Sequence, residues 1–197
     1  CARPGERLEA LKTIWPDAHL LPADLYNPVA VEQLARQLAD LNVDALLNNA
    51  GVFLPGGIST EEPGHLERTL QLNLLAPYHL TRAVLPRMKA HGHGTIVNLG
   101  STAGLVGYPN GGSYCISKHA LQGLSRALRE ELKPTGVRVV SVSPGATRTE
   151  SWAGTDLPPE RFMRPEDVAE AVWLACSMPA GTVVEDIVLR PQLGDLG

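Results

Sequence analysis

Cysteine is scarce and unpaired in this chain: Cys1, Cys115 and Cys176 are the three in 197 residues, far apart and without a C-x-x-C pair. That excludes a disulfide framework and a cysteine-based zinc cluster, and a reducing, cytoplasmic setting is expected. Charge of one sign is lacking too, with 17 Lys and Arg against 21 Asp and Glu for a net charge of −4. No basic field therefore points to nucleic acid or to an anionic membrane surface. No run of about eighteen consecutive apolar residues is present and no basic-then-apolar leader opens the chain, so neither a membrane span nor a secretion signal is expected. An initiator Met, internal repeats and low-complexity tracts are missing as well. What remains is ordinary globular composition, 44 % hydrophobic and 19 % charged, with Gly and Pro spread between periodic segments. One domain over residues 1–197 is expected, with small molecules or copies of the chain as partners.

Five short apolar runs bounded by turn residues read as buried strands: 19–23, 43–47, 95–99, 137–142 and 183–189. Between them, segments 6–14, 29–41, 61–90, 112–133 and 165–177 carry apolar side chains at three- and four-residue steps, as in Leu121, Leu124, Leu128 and Leu132. Apolar strands alternating with helices predict an α/β chain with a doubly wound parallel sheet covered on both faces. Ligands bind beyond the carboxyl ends of the strands in such sheets. The segments 48–51, 100–104 and 143–147 should then share one working edge.

Tyr114 and Lys118 stand four apart in a helical segment, so both side chains rise from one face. An ammonium beside a phenol favours phenolate and makes Tyr usable as a proton donor and acceptor nearer neutrality. Thirteen residues earlier, at the end of an expected strand, the Ser101 hydroxyl could orient a carbonyl oxygen that Tyr114 would protonate; its simpler role is turn chemistry. Asn73 lies inside the 61–90 helix, and Pro77 four residues later cannot bond its carbonyl, so the helix should kink and leave that acceptor to hold a water. Pro86 has the same effect on Arg82, where an ordinary kink is the reading.

Taken together these residues resemble the short-chain dehydrogenase/reductase family over essentially the whole chain. Asn73, Ser101, Tyr114 and Lys118 match the family's catalytic tetrad, and Asn48-Asn49-Ala50-Gly51 matches its N-N-A-G beside the cofactor. Asp24-Leu25 resembles the acidic residue near the adenine. The stretch Pro144-Gly145-Ala146-Thr147-Arg148-Thr149 resembles the segment near the nicotinamide, with Thr147 in place of the usual Val or Ile. The resemblance implies a Rossmann-like fold and hydride transfer between a nicotinamide cofactor and a carbonyl or alcohol substrate. Tyr114 would act as the acid/base, Lys118 would also hold the nicotinamide ribose, Ser101 would bond the substrate oxygen, and Asn73 with its water would relay protons. It also implies a homodimer or homotetramer through the 61–90 and 112–133 helices.

The family's glycine-rich phosphate turn has no counterpart in the chain, whose first residues resemble the end of the second strand and the start of the next helix. In the family's sheet order 3-2-1-4-5-6-7, the first strand-helix-strand unit is largely absent, which would leave a gap of roughly 10 Å at about 4.8 Å per strand. The native polypeptide is therefore expected to carry roughly 30 further residues before Cys1. Ala2 stands where NAD-using relatives place an acid, and Arg3 follows, which suits a 2′-phosphate; NADP is expected, with NAD the alternative. Two rival readings are a non-catalytic dinucleotide-binding sensor or inactive fragment, which would not need the tetrad, and a nicotinamide-dependent epimerase or dehydratase, whose chains usually run longer. No metal is expected, and His91 and His93 read as a solvated turn. Trp152 and the short segment 151–164 sit at the family's substrate lid, where Arg161 and Arg164 read as solvated charge.

Overall fold

The computed structural model describes residues 1–152 and 154–196; Ala153, inside the expected lid, and Gly197 lie outside the described residues. Four parallel strands are found among them: β1 (Ala45–Asn48), β2 (Gly94–Leu99), β3 (Val137–Pro144) and β4 (Asp186–Leu189), in the order β1-β2-β3-β4. The helices are α1 (Glu6–Ile14), α2 (Pro28–Ala39), α3 (His65–Leu70), α4 (Ala76–His91), α5 (Gly112–Leu132) and α6 (Pro165–Ser177). Local chemistry sets several of these ends. The Asn27 side chain accepts the Val29 N–H at 2.9 Å and Pro28 opens α2, while Gly92 closes α4 in the left-handed conformation.

Alternation along the strands builds two cores. On one face, Ile96 and Val139 are buried against Leu85 and Met88 of α4 and Leu128 and Leu132 of α5. On the other, Val97, Val140 and Val142 pack on Val172 and Ala175 of α6. The doubly wound reading therefore holds.

Two expectations are corrected. The run 19–23 does not form a strand: Pro22 makes one isolated parallel bridge to Ala2, and having no N–H it cannot extend a ladder. The 61–90 helix is divided by a π-helical turn at Gln71–Leu75, where the Ala76 N–H reaches back to the Gln71 carbonyl. The turn takes up the backbone mismatch ahead of Pro77, which then sits in the first turn of α4, where its missing N–H costs nothing.

A polar row crosses the sheet on the α5 side. Asn48, Asn98, Ser141 and Asp186 stand in register on β1 to β4. Asn48 Nδ2 donates to Asn98 Oδ1 at 2.8 Å, and Asn98 Nδ2 donates to Ser125 Oγ at 2.8 Å. Arg129, 8 % exposed, donates to Ser141 Oγ at 3.2 Å, to Asp186 at 2.9 Å and to the Glu185 carbonyl, and Gln122 donates to Asp186 at 2.6 Å. Gln122, Ser125 and Arg129 lie on one side of α5 at steps of three and four. This row therefore sets how the helix carrying Tyr114 and Lys118 lies across the strand ends.

Candidate active site

The strand ends deliver Asn49–Gly51, Gly100–Ser101 and Pro144–Gly145 to one edge, and α5 starts beside them. Ser101 caps the short turn Thr102–Gly104, its Oγ accepting the Ala103 N–H at 3.1 Å, and it also faces the Tyr114 phenol closely enough to pull that group's pKa down. Turn chemistry and site chemistry are thus served by one hydroxyl. Gly104 is required for this approach, since a Cβ there would stand 2.7 Å from the Lys118 carbonyl. The Phe53 ring meets the Tyr114 ring edge-on at 4.9 Å between centroids, and Lys118 Nζ lies 5.8 Å from the Tyr114 ring centroid.

Burial raises the Tyr114 pKa, the Ser101 hydrogen bond opposes that rise, and nearby Cys115 adds to it. In this geometry desolvation, and not the ammonium, sets the phenol's ionisation. Lys118 bears the same cost. Burial lowers its pKa from 10.5 to about 8, and among the described residues its acceptor is the Leu99 carbonyl at 2.9 Å. An ammonium has three N–H donors, so this leaves others for a ligand. The unfolded chain binds more protons than the folded chain between about pH 8 and 10.5, so stability should rise with pH across that window. We expect the wild type to gain about 3 kcal/mol on a Lys118→Met variant between those limits, read from urea midpoints. Parallel pH dependences for the two proteins would contradict a buried charge at Lys118.

Asn73 is buried in the π-helical turn with its side chain fully engaged. Its Oδ1 accepts the Val52 N–H at 2.9 Å, and its Nδ2 donates to the Val52 carbonyl at 3.0 Å and to Ser117 Oγ at 3.0 Å. Ser117 in turn donates to the Tyr114 carbonyl at 2.8 Å. The side chain of Asn73 therefore ties the strand-end loop to the helix of Tyr114.

Two cavities meet at this edge. One, of about 970 Å³, is lined by Asn49, Gly51, Tyr114, Lys118, Pro144, Thr147 and Thr149 together with apolar Val52, Phe53, Leu99, Val168 and Trp173. The other, of about 640 Å³ between β1 and the Ala2–Pro22 bridge, is lined by Arg3, Asp24, Leu25, Asn49, Ala50 and Gly51. All of the expected cofactor residues except Gly145 thus line one or the other cavity, with Asn49 and Gly51 on both walls. The ammonium of Lys118, the exposed strand-end backbone and the two threonine hydroxyls form a donor and acceptor set that suits ribose hydroxyls and a carboxamide. Gly145 is turned elsewhere: its N–H bonds the Leu189 carbonyl at 2.8 Å, and a Cβ on it would overlap the Asp195 carboxylate. Trp152 packs on Phe162 at 5.2 Å, and Arg164 is paired with Asp167. His91 and His93 stack at 5.9 Å. Among the described residues no helix is long and apolar enough to cross a membrane.

Phe53, Ser117 and Glu61 were not legible as site residues. Phe53 sits in an irregular loop with no periodicity to aim it, Glu61 is expected to open the 61–90 helix, which instead begins at His65 and leaves Glu61 in the loop, and Ser117 looks like one more small helical residue until Asn73 is seen opposite it.

A family model described as short chain dehydrogenase matches residues 1–158. The chain is 33 % identical to an NADP-dependent 3-hydroxy acid dehydrogenase of Escherichia coli strain K12, covering 96 % of this chain and 82 % of that protein. It is 32 % identical to a sepiapterin reductase of Chlorobaculum tepidum, covering 89 % and 73 %. Among solved structures, a serine dehydrogenase from Escherichia coli superposes with a TM-score of 0.85 at 32 % identity, covering 99 % of this chain and 86 % of that one.

Proposed function

Because the chain belongs to the short chain dehydrogenase family, we propose that it is an NADP(H)-dependent oxidoreductase that interconverts a carbonyl group and a secondary alcohol, with Asn73, Ser101, Tyr114 and Lys118 as its working residues. The observation that carries this is the Tyr114 phenol on the wall of the larger cavity, with Ser101 facing it and the buried ammonium of Lys118 beside its ring. Bound NADP(H) supplies the hydride. In reduction the Tyr114 hydroxyl gives its proton to the substrate oxygen, and in oxidation the phenolate takes it back. The Ser101 hydroxyl donates to the same oxygen, so the two groups fix the reacting atom. Phenolate left after proton transfer is stabilised by Lys118, whose charge acts strongly because it is buried. The Asn73 carbonyl is the acceptor through which a water returns the proton. Lys118, Thr147 and Thr149 would hold the nicotinamide half, and Arg3, Asp24 and Leu25 the adenosine half. The use of NADP by the 3-hydroxy acid dehydrogenase supports the cofactor choice.

The larger cavity also bears on the substrate. Among the described residues on its wall Lys118 is the one charged side chain, and Phe53, Val52, Leu99, Val168 and Trp173 make most of the rest apolar beside Asn49, Thr147, Thr149 and Ser151. An anionic substrate would find Lys118 as its one cation there, and that ammonium is committed to the Leu99 carbonyl and, in this reading, to the cofactor, so a buried carboxylate would be poorly paired. The proposed substrate is therefore an uncharged, largely apolar ketone or alcohol, unlike the acid in that relative's name. NADPH consumption is expected with kcat/KM at least about tenfold higher for an aromatic methyl ketone than for acetoacetate, a difference of about 1.4 kcal/mol. A preference for the acid would overturn the substrate assignment and leave the tetrad standing. Partly exposed Tyr78 on α4 and Ile116 on α5 support a homodimer or homotetramer, and a cytoplasmic setting completes the proposal.

A further inference from the structure

The helix that carries Tyr114 and Lys118 begins badly by its own sequence. Gly111 and Gly112 occupy its N-cap and first position, no side chain of its own caps it, and Asn110 just before it is held at φ +60. Two glycines in the opening turn are each costly in chain entropy, and the first N–H groups of a helix need partners from outside it.

Glu61 supplies one from 52 residues away. Its Oε1 accepts the Ser113 backbone N–H at 2.8 Å, and its Oε2 accepts the Ser113 hydroxyl in a short hydrogen bond. Those bonds hold its pKa below the ordinary glutamate value, so it is a carboxylate at neutral pH. The surrounding backbone is shaped to this contact. Gly56 and Gly111 form an isolated parallel bridge, and the Gly56 N–H bonds the Asn110 carbonyl at 3.0 Å. At Gly112 a Cβ would overlap Glu61 Oε1 and stand 2.7 Å from the Gly56 carbonyl, so the glycine that weakens the helix is also what lets the carboxylate reach it. The residue after Ser113 is Tyr114, and the loop that carries Glu61 also carries Phe53, whose ring meets Tyr114.

We propose that Glu61 is a positioning residue for the reaction: by gripping Ser113 with both carboxylate oxygens it fixes the first turn of α5, and with it the direction of the Tyr114 phenol toward Ser101. It touches neither substrate nor cofactor. The inference rests on the oxidoreductase reading for its kinetic consequence, and on the structure alone for the clamp.

The test takes Glu61→Ala, Glu61→Gln and Ser113→Ala in the purified protein. Three readouts are needed: ketone reduction, NADPH affinity by fluorescence, and amide hydrogen exchange over residues 111–115. For Glu61→Ala, kcat should fall by about 10- to 100-fold, as a misplacement of the proton donor implies, with NADPH affinity unchanged and exchange in the first turn of α5 accelerated. Glu61→Gln keeps an acceptor for the Ser113 N–H and should recover most of kcat. Ser113→Ala, which leaves α5 sterically undisturbed, should show a smaller fall in the same sense. An unchanged kcat in Glu61→Ala, or a fall that Gln does not relieve, would overturn the proposal. Should Glu61→Ala fail to fold, unchanged kcat in Ser113→Ala would overturn it as well. Faster exchange in a protein whose wild type reduces no carbonyl would sustain the clamp and sink the oxidoreductase reading instead.

Discussion

Tyr114→Phe is expected to lower kcat by about 10²- to 10⁴-fold while leaving NADPH affinity close to that of the wild type. The substitution removes one oxygen. Edge-on packing against Phe53 at 4.9 Å survives, because it is made by the ring. Lys118 keeps its hydrogen bond to the Leu99 carbonyl, and the threonines and strand-end backbone of the larger cavity are untouched. What is lost is the proton for the substrate oxygen. Stopped-flow NADPH oxidation with an accepted ketone, beside a fluorescence titration of NADPH, separates the two effects. Turnover near the wild-type rate would remove Tyr114 from the chemistry. An equal loss of rate and of cofactor affinity would place it in the binding site instead.

The second large effect is on stability. Asp186→Ala should destabilise the protein by about 3 kcal/mol, because it leaves a buried guanidinium without its closest carboxylate. Arg129 is 8 % exposed and donates to Asp186 at 2.9 Å, while the Glu185 carboxylate stands off at 3.8 Å and compensates only in part. Gln122 loses its acceptor as well. Asp186→Asn retains an acceptor without the charge and should fall between the two. Urea unfolding reads all three proteins. A loss below about 1 kcal/mol would mean that the polar row across the sheet is a row of independent contacts. A full loss would support the view that α5 is held across the strands by this row, from Asn48 on β1 to Asp186 on β4.

Much of this architecture could be read from residue pattern. Helices α1 and α6 fall at the ends that their apolar spacing and proline placement give, and each of β1 to β4 differs from its expected run by at most three residues at either end. The misses have local causes. Pro22 looks like part of an apolar run, yet its missing N–H stops a ladder after one bridge. Pro77 announces a break in the long helix, but that the break is a π-helical turn depends on how Asn73 must reach Val52, a tertiary demand. In the site, Tyr114 and Lys118 were legible because a spacing of four on a helix is itself geometry. The pull of Lys118 on the phenol was not correctly weighed, since the desolvation that dominates both groups depends on burial no sequence spacing records. Glu61 and Phe53 were illegible for a related reason: Glu61 reads as the start of a helix that begins only at His65, Phe53 lies where no period exists, and only the fold brings their loop to the start of α5.

The central claim is that this site moves a hydride between a nicotinamide and a carbonyl carbon while Tyr114 moves the proton. NADPH deuterated at the transferable position of the nicotinamide C4, incubated with an accepted ketone, tests it directly by mass spectrometry of the alcohol formed. The account predicts one deuterium on the carbinol carbon in the wild type and an initial rate of labelled product at least about a hundredfold lower from Tyr114→Phe. NADPH that binds while the wild type yields no deuterium on carbon would contradict it.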